Sequence, residues 1–281
     1  MSAADRGRRH TRYFLQWARG AFPVHLGADV DMSGIEAHRA AARDLGGHRS
    51  VVSYLLYAAG RVLDAHPEAN AAAVGGPMPR TVRFRGVHAK LALDRTTPHG
   101  RVVHTAVLRD VDRLGLEEIQ QLVDRYRDGP VERLPGAAGV RLLDRLPPPL
   151  GQLAFRAAVA GARRRSELLG TVSVSSLGHR RVDTFQSYGG TAVTLTAGRI
   201  APAPFAGPAG TTTVPVLHLG LTFDHRVIDG AAAADVLEEL VQLLEACDAA
   251  LPGGWDDPRR SLGTGTADPP DRTGGPVAVL P

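Results

Sequence analysis

Cysteine is nearly absent. Cys247 is the only one among 281 residues, which excludes an internal disulfide and any multi-cysteine metal site and points to a reducing compartment, the cytosol. It falls in the last helical pattern and reads as a small buried apolar residue rather than a nucleophile. No stretch is apolar enough to suggest a membrane partner, and nothing at the N-terminus resembles a signal peptide. Aromatic residues make up only 5% of the chain, and no aromatic-and-basic RNA pattern, recognition helix or zinc finger accompanies its positive charge. A nucleic-acid partner is therefore not expected. No Gly-x-Ser-x-Gly elbow marks a serine hydrolase.

What the chain does have is 43% hydrophobic residues, enough for one large core. Its formal charge is +4, from 33 Lys+Arg against 29 Asp+Glu, with arginine dominant. Such a surface suits a phosphate-bearing small molecule such as a coenzyme A tail. Helical patterns over 8–19, 33–45, 50–66 and 116–127 alternate with strand patterns over 24–32, 80–93, 102–108, 170–176 and 191–196. Ser33 is the expected N-cap of its helix, and Thr97 to Gly100 the turn between two strands. The stretch 141–169, split at Pro147-Pro148-Pro149, reads in its second half as a surface helix with Arg163-Arg164-Arg165 on a solvated face, or else meeting phosphates. The Pro/Gly/Thr-rich segment 201–213 reads as a linker. Residues 1–251 form one mixed α/β domain, and 252–281 are expected to be a disordered tail.

The most informative run is Asp224-His225-Arg226-Val227-Ile228-Asp229-Gly230. It follows the strand pattern 216–223 and precedes the helical pattern 231–244, so His225 stands at a strand-to-helix junction with a carboxylate four positions on. An imidazole, with an ordinary pKa near ~6.5, can take a proton from a hydroxyl or thiol and return it to a leaving group. Acyl transfer also needs a donor aimed at the oxyanion. The run Ser173-Val174-Ser175-Ser176-Leu177-Gly178 offers hydroxyls at the end of a strand. Each run alone is equally readable as an ion pair at a helix start or as ordinary turn residues. A metal on His225 and Asp229 lacks a third ligand at fixed spacing.

Together these runs resemble the catalytic domain of the 2-oxoacid dehydrogenase acyltransferases (dihydrolipoamide acyltransferases), whose fold is that of chloramphenicol acetyltransferase. The resemblance extends from Arg8-Arg9 and Ala28 to Ser33, through His66-Pro67-Glu68-Ala69-Asn70 and Arg101 to Ile119, to the runs 170–178 and 224–230. It implies a two-layer sandwich with a mixed sheet, assembled as a homotrimer with its active sites between subunits. His225 would be the general base and Ser175 the oxyanion donor. Asp229 would brace the site, paired with Arg9 or Arg12. No tightly bound cofactor is implied; acyl-coenzyme A or an acyl carrier protein would bring the acyl group to a small-molecule acceptor.

The departures matter as much. No lipoyl domain or subunit-binding domain is recognisable before residue 8, so the chain reads as a stand-alone member. The connection 131–169 is longer than usual, His104 stands where proline is frequent, and Lys90 occupies a strand that is usually apolar or glycine. These changes point to an altered substrate, for which an intermediate of tetronate polyketide assembly is one expectation. The alternatives are a lipoyl transacylase and a non-catalytic trimeric scaffold.

Overall fold

The computed structural model describes residues 8–75, 78–97, 100–207, 210–247 and Trp255. Among the described residues, eight α-helices run α1 (Arg9–Ala18), α2 (Ser33–Asp44), α3 (Val51–Ala65), α4 (Leu116–Asp128), α5 (Ala137–Arg145), α6 (Pro148–Val159), α7 (Ala162–Leu169) and α8 (Gly230–Glu245). Among them lie strands β1 (Pro23–Asp31), β2 (Ala71–Val74), β3 (Arg80–Arg83), β4 (Ala89–Thr97), β5 (Gly100–Leu108), β6 (Val172–Ser176), β7 (Val193–Gly207) and β8 (Gly210–Asp224). Six strands form one sheet in the order β1-β8-β7-β6-β4-β5, and β2 pairs with β3 separately. The sheet is mixed: β4, β6 and β7 are mutually parallel, and the other pairs are antiparallel.

The two faces of the sheet differ because strand residues alternate and paired residues share a face. One row across the sheet reads Leu26, Leu221, Leu195, Val174, Leu91 and Ala106. It belongs to the main core, together with α3 and α8. From Ser53 to Leu63 every residue of α3 is buried, as expected of a helix that is apolar all round. The neighbouring row points the other way and reads His25, Thr222, Thr194, Ser173 and Lys90. This hydroxyl-rich face is covered by the loop 177–192, whose Gly189 N–H donates to Thr194 Oγ1 at 2.9 Å and whose Phe185 carbonyl accepts from Thr196.

Several boundaries differ from the sequence reading. The expected strand 80–93 is broken between β3 and β4. The N-cap of α2 is Met32, not Ser33; the Asp31 carboxylate accepts both the N–H and the hydroxyl of Ser33, at 2.8 and 2.6 Å. The stretch 141–169 lies in three helices, with Pro148 in the first turn of α6, where its missing N–H costs nothing.

The supposed linker over 201–213 is the outer part of β7 and β8. There the two strands form a ribbon beyond the ends of β6 and β1, and each has a single partner. Pro202 lies opposite Pro215, and Pro204 opposite Thr213. A proline nitrogen facing away from its only partner leaves the ladder intact.

The turn residues Pro98 and His99, and the tail 252–281 apart from Trp255, lie outside the described residues. Trp255, expected in a disordered tail, is buried at 1% exposure against Tyr54 and Tyr57, with ring centroids 5.5 and 4.8 Å away.

Candidate active site

The turn after β8 is fixed at both ends by backbone bonds. Asp224 N–H donates to the Ala192 carbonyl at 2.9 Å, His225 N–H to the Phe22 carbonyl at 2.9 Å, and Val227 N–H to the Asp224 carbonyl at 2.8 Å. The backbone of His225 is thus tied to the start of β1 while its imidazole remains 48% exposed beside the Phe223 ring. Asp229 is the N-cap residue of α8 but makes no capping bond; its carboxylate is 89% exposed and lies 3.6 Å from His225 Nδ1. That separation is an ion-pair distance and too long for a hydrogen bond. On α1, Arg9 donates to the Asp144 and Leu146 carbonyls, and Arg9 and Arg12 both line a groove between α1 and α6.

The first residue of the run carries more of the structure than the sequence reading gave it. Asp224 is buried, at 1% side-chain exposure, and accepts from Arg226 Nε at 2.9 Å, Arg226 Nη2 at 2.5 Å and the Tyr188 hydroxyl at 3.2 Å. Burial alone would push its carboxyl up, but the Arg226 guanidinium, the Arg226 N–H and the Phe22 N–H outweigh that and hold it below the usual range. Burial and the neighbouring Asp224 charge raise the Tyr188 phenol well above its ordinary value. The two-residue spacing of Asp224 and Arg226 is the signal in the sequence for this pair, and Tyr188 has none.

Of the three serines on β6, two are occupied. The Ser173 hydroxyl donates to the Gly189 carbonyl and accepts from Thr191, and Ser176 Oγ accepts from the Gly178 N–H. Ser175 is half-buried on the hydroxyl-rich face, in register with Thr196 and Gly220. Gly220 precedes His225 by five residues along β8, and β7 lies between β8 and β6. At ~3.3 Å per residue and ~4.8 Å per strand, Ser175 and His225 of one chain are on the order of 19 Å apart. They cannot both reach one acyl carbon.

Arg165 corrects the expectation of a solvated arginine cluster. Arg163 is exposed, but Arg165 is 4% exposed and donates to the carbonyls of Ala73 at 2.7 Å and Gly190 at 3.1 Å, with its guanidinium 4.8 Å above the Trp17 ring. Burial, then the neighbouring Arg226, lowers its pKa. The amphipathic α1 presents Trp17 to it, a partnership no local spacing shows. Lys90 Nζ donates to the preceding carbonyl, that of Gly189. The loop is pressed so closely against β6 and α1 that a Cβ at Gly189 would strike Ser173, and one at Gly190, whose φ is +85°, would strike Phe14.

Among the described residues there is no cluster of His, Cys, Asp or Glu suited to a metal ion, and no helix is long and apolar enough to cross a membrane.

Residues 155–251 match the family model for 2-oxoacid dehydrogenases acyltransferase (catalytic domain). No curated protein matches by sequence. Among solved structures, a probable dihydrolipoamide acetyltransferase of Listeria monocytogenes 4b F2365 superposes with a TM-score of 0.63 at 14% identity, over 88% of this chain and 94% of its own. The dihydrolipoamide acetyltransferase of Azotobacter vinelandii gives 0.59 at 25% identity, over 85% and 86%. A truncated catalytic core of the 2-oxoacid dehydrogenase multienzyme complex from Thermoplasma acidophilum gives 0.59 at 18%, over 88% and 97%.

Proposed function

We propose that this chain, an acyltransferase by the pattern of residues 155–251 and by its fold, moves an acetyl or similar acyl group from coenzyme A or a carrier-protein thioester to a hydroxyl of a small molecule. His225 of one copy takes the proton from the acceptor hydroxyl as the oxygen attacks the thioester carbonyl. Ser175 of a second copy donates a hydrogen bond to the oxyanion, and the imidazolium returns the proton to the departing sulfur. The carrying observation is the separation of Ser175 from His225 along the register of β6, β7 and β8. Neither residue is fully buried, and their separation supports a site shared between two copies, as a homotrimer would provide. In the Azotobacter enzyme the catalytic mechanism was investigated at a serine, a histidine and an asparagine four positions after the histidine. Here the fourth position is Asp229, and we assign it the bracing role.

Release of free thiol from acetyl-coenzyme A in the presence of hydroxyl-bearing acceptors tests the reading. His225→Ala should lower kcat by about 10²- to 10⁴-fold and leave the unfolding midpoint nearly unchanged, because the side chain is half-exposed. No turnover with any donor, or full turnover in the variant, removes the proposal.

The 25% identity to the Azotobacter enzyme over 85% of the chain favours one other acceptor, dihydrolipoamide on a separate protein. Acetyl exchange between coenzyme A and dihydrolipoamide, at rates above those with alcohols, would identify that reaction.

A further inference from the structure

A cavity of about 280 Å³ lies against the catalytic turn, lined by Trp17, Val74, Val159, Arg165, Tyr188 and Arg226 among others. Its walls come from α1, the β2–β3 hairpin, α6 and α7, the 177–192 loop and the residue after His225. Two of these groups are guanidinium ions and one carboxylate, Asp224, stands behind them. That carboxylate is engaged by Arg226 through Nε and Nη2. Arg165 is held by two neutral carbonyls and an indole face instead of an acid. Lys90, behind the same loop, adds a third cation.

The cavity therefore carries excess positive charge in a partly desolvated place, where a guanidinium fork with donors to spare binds a carboxylate most strongly. Arg165 uses two of its five N–H donors on the carbonyls, and Nη1 of Arg226 takes no part in the Asp224 pair. Beside the two guanidinium groups and the Tyr188 phenol, the wall carries the apolar side chains of Trp17, Ala18, Val74, Pro79, Val159 and Ala160. A site of that composition discriminates against a neutral polar ligand, whereas a compact body with one anionic group satisfies both walls.

We infer that this cavity binds the carboxylate end of the acyl acceptor, a small acid with a compact apolar or ring body, and holds it one residue along the chain from His225. The inference rests on the acyl-transfer reading above for the identity of the ligand, but the binding itself does not require turnover.

The probes are 3-(hydroxymethyl)benzoate and its neutral isostere 3-(hydroxymethyl)benzamide, with phenyl phosphate alongside to separate a carboxylate ligand from a phosphate one. Binding is measured by titration calorimetry in the absence of any acyl donor, with wild-type protein and with His225→Ala. The expected result is at least tenfold tighter binding of the benzoate than of the benzamide or the phosphate ester, retained in His225→Ala. Two variants locate it. Arg165→Gln should weaken the benzoate at least tenfold and leave the benzamide unchanged. Ala160→Trp, which fills the cavity from an exposed rim position and spares the buried clamp on Ala73 and Gly190, should exclude both if Arg165→Gln proves unstable. Equal binding of benzoate and benzamide, tighter binding of phenyl phosphate, or indifference to both variants overturns the inference. Turnover of alcohols with no preference for the acid overturns it while leaving the acyl-transfer reading intact; binding without any turnover does the reverse.

Discussion

Lys90 is the only lysine in the chain, and it is buried. Its ammonium donates to the Gly189 carbonyl and lies 5.1 Å from the centre of the Phe14 ring. Burial, then the nearby Arg165 charge, pushes its pKa down to about 8. An unfolded chain holds that proton to about 10.4, so between these values the unfolded state binds more protons and stability rises with pH. Below about 8 both states are protonated, and the cost of burying the charge is felt in full. Lys90→Met removes this linkage. The unfolding free energy of the wild type relative to Lys90→Met should therefore rise between pH 8 and pH 10.5, by roughly 3 kcal/mol at most. Urea unfolding of both proteins at several pH values measures the gap; a gap that stays flat or narrows would mean that the amine is not desolvated. The same residue acts on the site through the loop, since Gly189 and Gly190 are clamped by Lys90 and Arg165 and the adjoining Tyr188 holds Asp224.

At the scale of elements, α3 and α8 are joined by a histidine. His66, the C-cap residue of α3, lies with Nδ1 3.1 Å from Glu68 and Nε2 3.0 Å from Glu239 on α8. Burial disfavours its charge, but the bonds to Glu239 and Glu68 outweigh that and raise its pKa above 6.5. The stabilisation is fully present below about pH 6.5 and is lost as the pH rises through the raised value. His66→Gln should thus cost about 0.5–1 kcal/mol at pH 5.5, a screened figure because both glutamates are partly exposed, and much less at pH 8.5. Equal costs at the two pH values in thermal unfolding would show that the ring is held neutral.

His66 also marks how far the elements are legible in the sequence. Helix α3 could be read because an apolar run starts at Ser50, whose hydroxyl accepts from the Ser53 N–H, and stops before Pro67. The turn 224–230 could be read because it lies between two clear periodicities. The outer ribbon of β7 and β8 could not: Pro202, Pro204 and Pro215 are turn residues by propensity, and only the absence of a second neighbouring strand makes them tolerable. Arg165 was misread for a similar reason. A run of three arginines looks solvated along the chain, and its burial depends on Ala73, Gly190 and Trp17, each far away in sequence. Local pattern reports periodicity and capping; it carries no record of what a distant carbonyl or ring will neutralise.

For the whole molecule, the decisive quantity is how many chains make one site. In the proposed reading, a sheet that sets Ser175 and His225 on the order of 19 Å apart has each centre drawing its base from one copy and its oxyanion donor from another. In a ring with one interface per chain this has an arithmetical consequence. Ser175→Ala should lower kcat about 10²- to 10³-fold, and His225→Ala at least as far. If the two variants are unfolded together in equal amounts and refolded, an interface is intact when its base comes from a Ser175→Ala chain and its hydroxyl from a His225→Ala chain. Random assembly makes that combination in about one interface in four, so the mixture should regain close to a quarter of wild-type activity from two nearly inactive proteins. Simple mixing without refolding should recover far less if the assembly is long-lived, which separates subunit exchange from contamination. Recovery of nothing after refolding, with trimers confirmed by light scattering, would place both residues in sites completed within a single chain, which the register between β6 and β8 does not allow; the role assigned to Ser175 would then have to pass to another donor.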